Sequence, residues 1–240
     1  MSSVVGIDGC RVGWVVVTVP LDEAVPLGGR DTSEAASAAV RVVTDLSEVV
    51  ADLQASRTTA GTIDIPIGLP GRDPRAVDIE ARQRLGPRRS SVFPAPVRPV
   101  LAAGTYGEAC AISRGVCGRG ISQQLFNIVP KIREVDDLQS PALQQRFVEM
   151  HPELSFTELA GAPMQFHKST TEGRAERLLA LRTVFRDIDT VCGARWSGTR
   201  PDDVLDAFVG AWTARRFAAG AHLQLGGALD ETGLRMEMIA

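Results

Sequence analysis

The sequence predicts an α/β protein, a mixed sheet with helices on its faces, on three observations. Strands come first in the chain, helices crowd its second half, and a strand–helix–strand crossover recurs between them. The opening strands form a hairpin, so the sheet is mixed and not all-parallel.

Residues 4–8 and 13–19 are apolar and β-branched, and the Asp8-Gly9 turn region between them makes the hairpin. Residues 24–43 are less regular: a third strand is expected around 40–44, and Gly28-Gly29 with the Ala/Ser-rich stretch marks a surface loop. Leu46, Val49, Val50 and Leu53 have helical spacing, so residues 45–55 are a helix that Thr44 or Asp45 could cap. Residues 61–67 form a short apolar strand ended by Pro66. From 69 to 100 the chain is rich in Pro, Gly and Arg, with a helix over 74–85, and residues 88–96 are too proline-rich for a regular element. Helices follow over 105–114 and 121–137, a strand over 147–150, and helices over 172–185 and 202–219. The tail, 220–240, adds a last strand. The expected organisation is a single domain over 1–240, carrying a helical, Pro- and Arg-rich insertion at about 69–140.

Composition excludes several classes. A hydrophobic fraction of 44% supplies a sizeable core, while no stretch approaches the ~20 apolar residues of a membrane span. No basic segment followed by an apolar one opens the chain, so no secretory signal and no membrane partner are expected. Cys10, Cys110, Cys117 and Cys192 contain no C-x-x-C pair, and reduced thiols in a cytoplasmic protein are the reading. Net charge is −3, which gives no global signal for nucleic acid. Arginine replaces lysine almost throughout, only Lys131 and Lys168 being lysine, as a GC-rich genome would produce. Locally, seven arginines (72, 75, 82, 84, 88, 89, 98) stand against Asp73, Asp78 and Glu80, an excess of +4 that suits either a phosphate-facing surface or a solvated helix face.

The carboxylates carry the functional argument. Asp8 ends the first strand, where its side chain projects from the sheet end, although an aspartate there can simply start a turn. Asp64 lies between Ile63 and Ile65; a carboxylate buried there needs a cation, a metal or hydrogen-bond donors. Asp203 and Asp206 share a helix face. Helix-dipole preference explains Asp202 and Asp203 in the first turn after Pro201, but not Asp206, which sits among Leu205, Ala207 and Phe208. Small Ala207, Gly210 and Ala211 would let this helix lie close against a sheet. Glu153 is either another acid at a strand end or the acid opening a short helix, and His151 is read as a packing or hydrogen-bonding residue. Acids on two strands and one late helix are what a divalent-metal site for phosphodiester chemistry requires.

The segments 6–14 (GIDGCRVGW), 63–69 (IDIPIGL), 89–93 (RSSVF), 151–156 (HPELSF) and 202–207 (DDVLDA) resemble the family called domain of unknown function 429, over nearly the whole chain from Val4 to about Ala219. That family is described as predicted nucleases with an RNase H-like fold, so the resemblance implies an RNase H-like α/β sheet and nuclease chemistry. A wider similarity is to Holliday-junction resolvases of the RuvC type, whose acids come in the order of Asp8, Asp64, Asp203 and Asp206. This chain departs from them in carrying the shorter Asp64 where a glutamate is usual, and in having His167-Lys168 where a lysine pair is expected. The resemblance implies two Mg²⁺ or Mn²⁺ ions about 4 Å apart, held by Asp8, Asp64, Asp203 and Asp206, with Glu153 as a further ligand or a residue behind them. Arg11, Arg88, Arg89 and Lys168 are the candidates for contacting the phosphates of a DNA or RNA substrate. Two alternatives stand beside this: a non-catalytic nucleic-acid or nucleotide-binding module, and a phosphotransferase of the actin and sugar-kinase type, which opens with a similar strand, Asp and Gly-rich turn. Oligomeric state is left open, a homodimer included.

Overall fold

The computed structural model describes residues 2–21 and 38–240. The surface loop expected at Gly28-Gly29 lies outside the described residues.

The opening hairpin forms as its alternating β-branched residues dictate. Strand β1 (Ser3–Cys10) pairs antiparallel with β2 (Gly13–Pro20), Asp8 opposite Val15 and Cys10 opposite Gly13. Strand β3 (Ala39–Val43) adds antiparallel to β2. Gly13 is required here: its φ is +152°, and a Cβ would meet the Val43 carbonyl oxygen at 2.0 Å. Helix α1 (Ser47–Gln54) crosses to β4 (Ala60–Ile63), which runs parallel to β1 with Ile7 opposite Ile63. After α2 (Ala76–Leu85), two 3₁₀ turns, α3 (Tyr106–Cys117) and α4 (Gln123–Leu138), strand β5 (Phe147–Glu149) joins parallel to β4. The resulting order is β3-β2-β1-β4-β5, an RNase H-like mixed sheet.

Helices α5 (Pro152–Ala160), α6 (Thr171–Leu181), α7 (Ile188–Gly193) and α8 (Pro201–Ala218) complete the second half. The tail forms β6 (Gln224–Leu229) and β7 (Arg235–Ile239), a separate two-stranded sheet where one strand was expected. Gly226-Gly227 break its register and explain why the pattern hides two strands. Two further differences have local causes. The strand expected over 61–67 ends at Ile63, because Pro66 and Gly68 (φ +73°) turn the chain away. The helix expected over 172–185 ends at Leu181, and the short α7 beyond it has no capping side chain to announce it.

Sheet alternation sorts the core into two layers. Val5, Ile7 and Ile63 face α1 and α4, packing with Leu46, Leu53 and Ile132. The opposite face presents Val4, Val15 and Val17 to Phe208 and Trp212 of α8. Gly6 belongs to that second face and lets α8 touch the strand: a Cβ there would lie 2.0 Å from the Ala211 nitrogen and 2.2 Å from the Ala207 oxygen. The approach is sealed by the Thr62 hydroxyl, which donates to the Gly210 carbonyl at 2.8 Å.

Candidate metal centre

The alternation that places Gly6 and Thr62 under α8 also places the acids. Asp8 is two residues past Gly6, and Asp64 two past Thr62, so both side chains leave the sheet on the α8 side. Asp64 stands one residue beyond the end of β4, not within a strand as expected, and its amide still donates to the Ile7 carbonyl at 3.1 Å. Asp206 lies one helical turn before Gly210, the α8 residue that rides on Gly6 and Thr62. The three carboxylates therefore converge: one oxygen from each of Asp8, Asp64 and Asp206 lies within 4.8 Å of the others.

Electrostatics follow from that crowding. Burial, then the Asp206 and Asp64 charges, raise the pKa of Asp8 well above the ordinary carboxylate value. Burial raises Asp64 too, and Glu153 adds to it, while His151 and Lys168 act the other way. Asp206 is pushed up to about 6 by burial and Asp64, against the pull of Lys168. The Lys168 ammonium donates to Asp206 Oδ2 at 2.6 Å. Burial works against that ammonium, but Asp206, Asp8 and Asp64 together hold its pKa above the usual value. Asp206 Oδ1 is fully buried and has no hydrogen-bond partner.

The remaining sequence candidates fall into distinct places. Asp203 is not in the three-carboxylate cluster. It closes a capping interaction, its Oδ2 accepting from the Arg200 amide at 2.7 Å, although its charge is felt at Asp8. Glu153 is buried in the first turn of α5 and accepts from Arg177 at 2.5 Å and Arg88 at 3.1 Å. Arg88 is thus committed to a carboxylate and not turned to a phosphate, and Lys168 is committed to Asp206 in the same way. Arg11 is exposed in the β1–β2 turn, where its amide donates to the Gly198 carbonyl, and Arg89 is exposed on a 3₁₀ turn. His151 stands at the N-cap position of α5 without a side-chain capping bond, and its Nε2 approaches the Ser91 carbonyl at 3.3 Å.

Three contributors were not read from the sequence. Lys131, on the opposite face of the sheet, stacks over Trp14 and donates to the Gly13 carbonyl; burial lowers its pKa against the charges of Cys10, Glu134, Asp8 and Asp203. Arg177 is buried against Glu153, and nothing in a helical Ala-Glu-Arg-Leu run marks it. Arg75 bridges Glu149 and Asp78 and donates to the Ile67 and Gly68 carbonyls, strapping down the segment that follows Asp64. Its only sequence sign is an arginine in the first turn of the helix expected over 74–85, which in the structure begins one residue after it.

The site suits a hard divalent cation. Its donors are carboxylate oxygens, they are crowded enough to resist ionising together, and Asp206 Oδ1 is a buried acceptor without a donor. A cation there would offset both the mutual repulsion and the missing donor.

An RNase H-like sheet with three acids gathered at the ends of its central parallel strands and on the last long helix defines the class. The family model described as "Protein of unknown function (DUF429)" matches residues 6–230, and the chain belongs to that family. No curated protein and no solved structure matches the chain.

Proposed function

We propose that this protein is a Mg²⁺- or Mn²⁺-dependent nuclease that hydrolyses phosphodiester bonds of nucleic acid. The observation that carries the reading is the convergence of Asp8, Asp64 and Asp206 within 4.8 Å on an RNase H-like sheet. Asp8, Asp64 and Asp206 would hold a divalent cation, which would supply Lewis-acid activation of water and charge neutralisation at a phosphate.

The chain's own residues prepare that chemistry. Asp8, Asp64 and Asp206 are the ligands, and Asp203 stands one turn away on the same helix. Lys168 holds Asp206 in place through Oδ2, and Oδ1, buried without a donor, would be open to a cation. The Arg177–Glu153 pair anchors the 151–153 turn beside Asp64. Exposed Arg11 and Arg89 are candidates to meet substrate phosphates. Four free cysteines suit a reducing, cytoplasmic setting. Among the described residues no helix is long and apolar enough to cross a membrane.

The test is cleavage of fluorescein-labelled single-stranded, duplex and branched DNA and of RNA, with Mn²⁺ or with EDTA, by wild type, Asp8→Asn and Asp206→Asn. The reading expects metal-dependent cleavage that either substitution reduces by at least about 10²-fold. Cleavage that survives EDTA or Asp8→Asn contradicts it. Mn²⁺ binding with no cleavage of any substrate favours the non-catalytic binding module instead.

A further inference from the structure

Away from the acids, two adjoining hollows of about 280 Å³ and about 500 Å³ share Pro74, Pro94 and Arg119 in their walls, and so form one groove. Its charge is one-sided. Arg72 and Arg119 border the smaller hollow, and Arg82, Arg89 and Arg119 the larger. Among the described residues none of these four makes an ion pair, whereas Arg75, Arg84, Arg88 and Arg98 from the same stretch each meet a carboxylate. Of the acids in the walls, Asp78 is buried and spent on Arg75, and Asp73 is the one left in solvent. Phe93, 49% exposed, lines the smaller hollow beside Pro94 and Pro96.

Unpaired guanidinium groups flanking an exposed ring offer ionic contacts to a phosphate backbone and a stacking face to a base. A duplex keeps its base faces stacked inside, so the ring is useful only to a single strand. The groove is also tied to the acids by one short segment. Arg88 meets Glu153 and the Ser91 carbonyl meets His151, both on the turn beside Asp64, while Arg89 and Phe93 of that segment wall the groove.

We propose that this groove binds single-stranded nucleic acid and leads it toward the carboxylate cluster. The binding half of this inference stands alone; the delivery half rests on the nuclease reading.

The experiment is fluorescence anisotropy without divalent metal, using fluorescein-labelled oligo-dT, a duplex of the same length and a polyglutamate peptide. The proteins are wild type, Arg82→Gln/Arg89→Gln/Arg119→Gln and Phe93→Ala, each checked for unchanged thermal unfolding. Wild type is expected to prefer oligo-dT. The triple variant should bind it at least about tenfold more weakly, with the slope of log K against log salt reduced by about 2. Phe93→Ala should weaken oligo-dT more than duplex. Unchanged oligo-dT binding by the triple variant, or wild-type binding of duplex or polyglutamate as tight as of oligo-dT, overturns the proposal. The two readings separate cleanly: normal groove binding without Mn²⁺-dependent cleavage removes the nuclease reading alone, and cleavage with oligo-dT binding indifferent to the three arginines removes the groove alone.

Discussion

Lys168 donates to one oxygen of Asp206 at 2.6 Å, while the other oxygen is buried without a partner, and the carboxylate as a whole converges with those of Asp8 and Asp64. The lysine is therefore the resident counter-cation of a group of acids that repel one another.

Removing it should expose that repulsion. Lys168→Met is expected to cost about 1–3 kcal/mol in EDTA, less than a fully buried pair would, because part of the side chain is in water. Mn²⁺ should recover most of the loss by replacing the missing charge. Thermal unfolding in EDTA and in Mn²⁺ checks this; an equal loss in both conditions counts against a cation site.

Asp8→Asn acts in the opposite direction. It removes a buried charge that Asp206 and Asp64 disfavour, so the metal-free protein should gain about 1–2 kcal/mol. The same variant should lose the stabilisation that Mn²⁺ gives wild type. A less stable variant in EDTA would mean that the Asp8 carboxylate serves an attraction rather than causing a strain.

The pH dependence has a definite sign. Asp8, Asp64 and Asp206 all have folded pKa values above the ordinary 3.8, that of Asp206 at about 6. Folded protein then holds more protons than unfolded protein between these values, so the cluster's contribution is fully present below about pH 3.8 and is lost as pH rises through about 6. Mn²⁺ affinity should run the other way, rising with pH over the same interval as the ligands shed protons. Urea unfolding of wild type and Asp8→Asn across this interval in EDTA measures it; the substitution should flatten the wild-type slope.

Much of the site could be read from the sequence because its determinants are local. Asp8 follows an apolar strand, Asp64 sits among isoleucines, and Asp206 has no capping role to explain it. Glu153 and Asp203 were harder, since an acid in the first turn of a helix is favoured whatever else it does. Asp203 proves to be a cap and Glu153 the partner of two arginines. Lys131, Arg75 and Arg177 were not legible, because each acts across the fold on a residue distant in sequence. The tail hairpin was missed for a related reason: β7 gains its place from a bridge between Ile239 and Met150 and from packing on α2, which no local pattern encodes.

Helix placement depends on Gly6. Gly6→Ala would press a methyl group into the Ala211 and Ala207 backbone, and should cost more than about 3 kcal/mol or abolish soluble expression. Gly115→Ala in α3 meets open space and should stabilise by up to about 1 kcal/mol. Urea unfolding of both variants compares close packing with backbone propensity; a mild Gly6→Ala would contradict the contact between β1 and α8.

Arg75→Met should cost about 3–5 kcal/mol, because it leaves Glu149 and Asp78 buried without their cation and frees the Ile67 and Gly68 carbonyls. Chemical denaturation measures the loss. A change below about 1 kcal/mol would show that the strap is dispensable.

Asp8, Asp64 and Asp206 together should form one cation site, and calorimetric titration of Mn²⁺ into wild type and Asp64→Asn measures it. Binding to the wild type that Asp64→Asn loses is the expected result. Equal binding by both proteins, or none by the wild type, would contradict it.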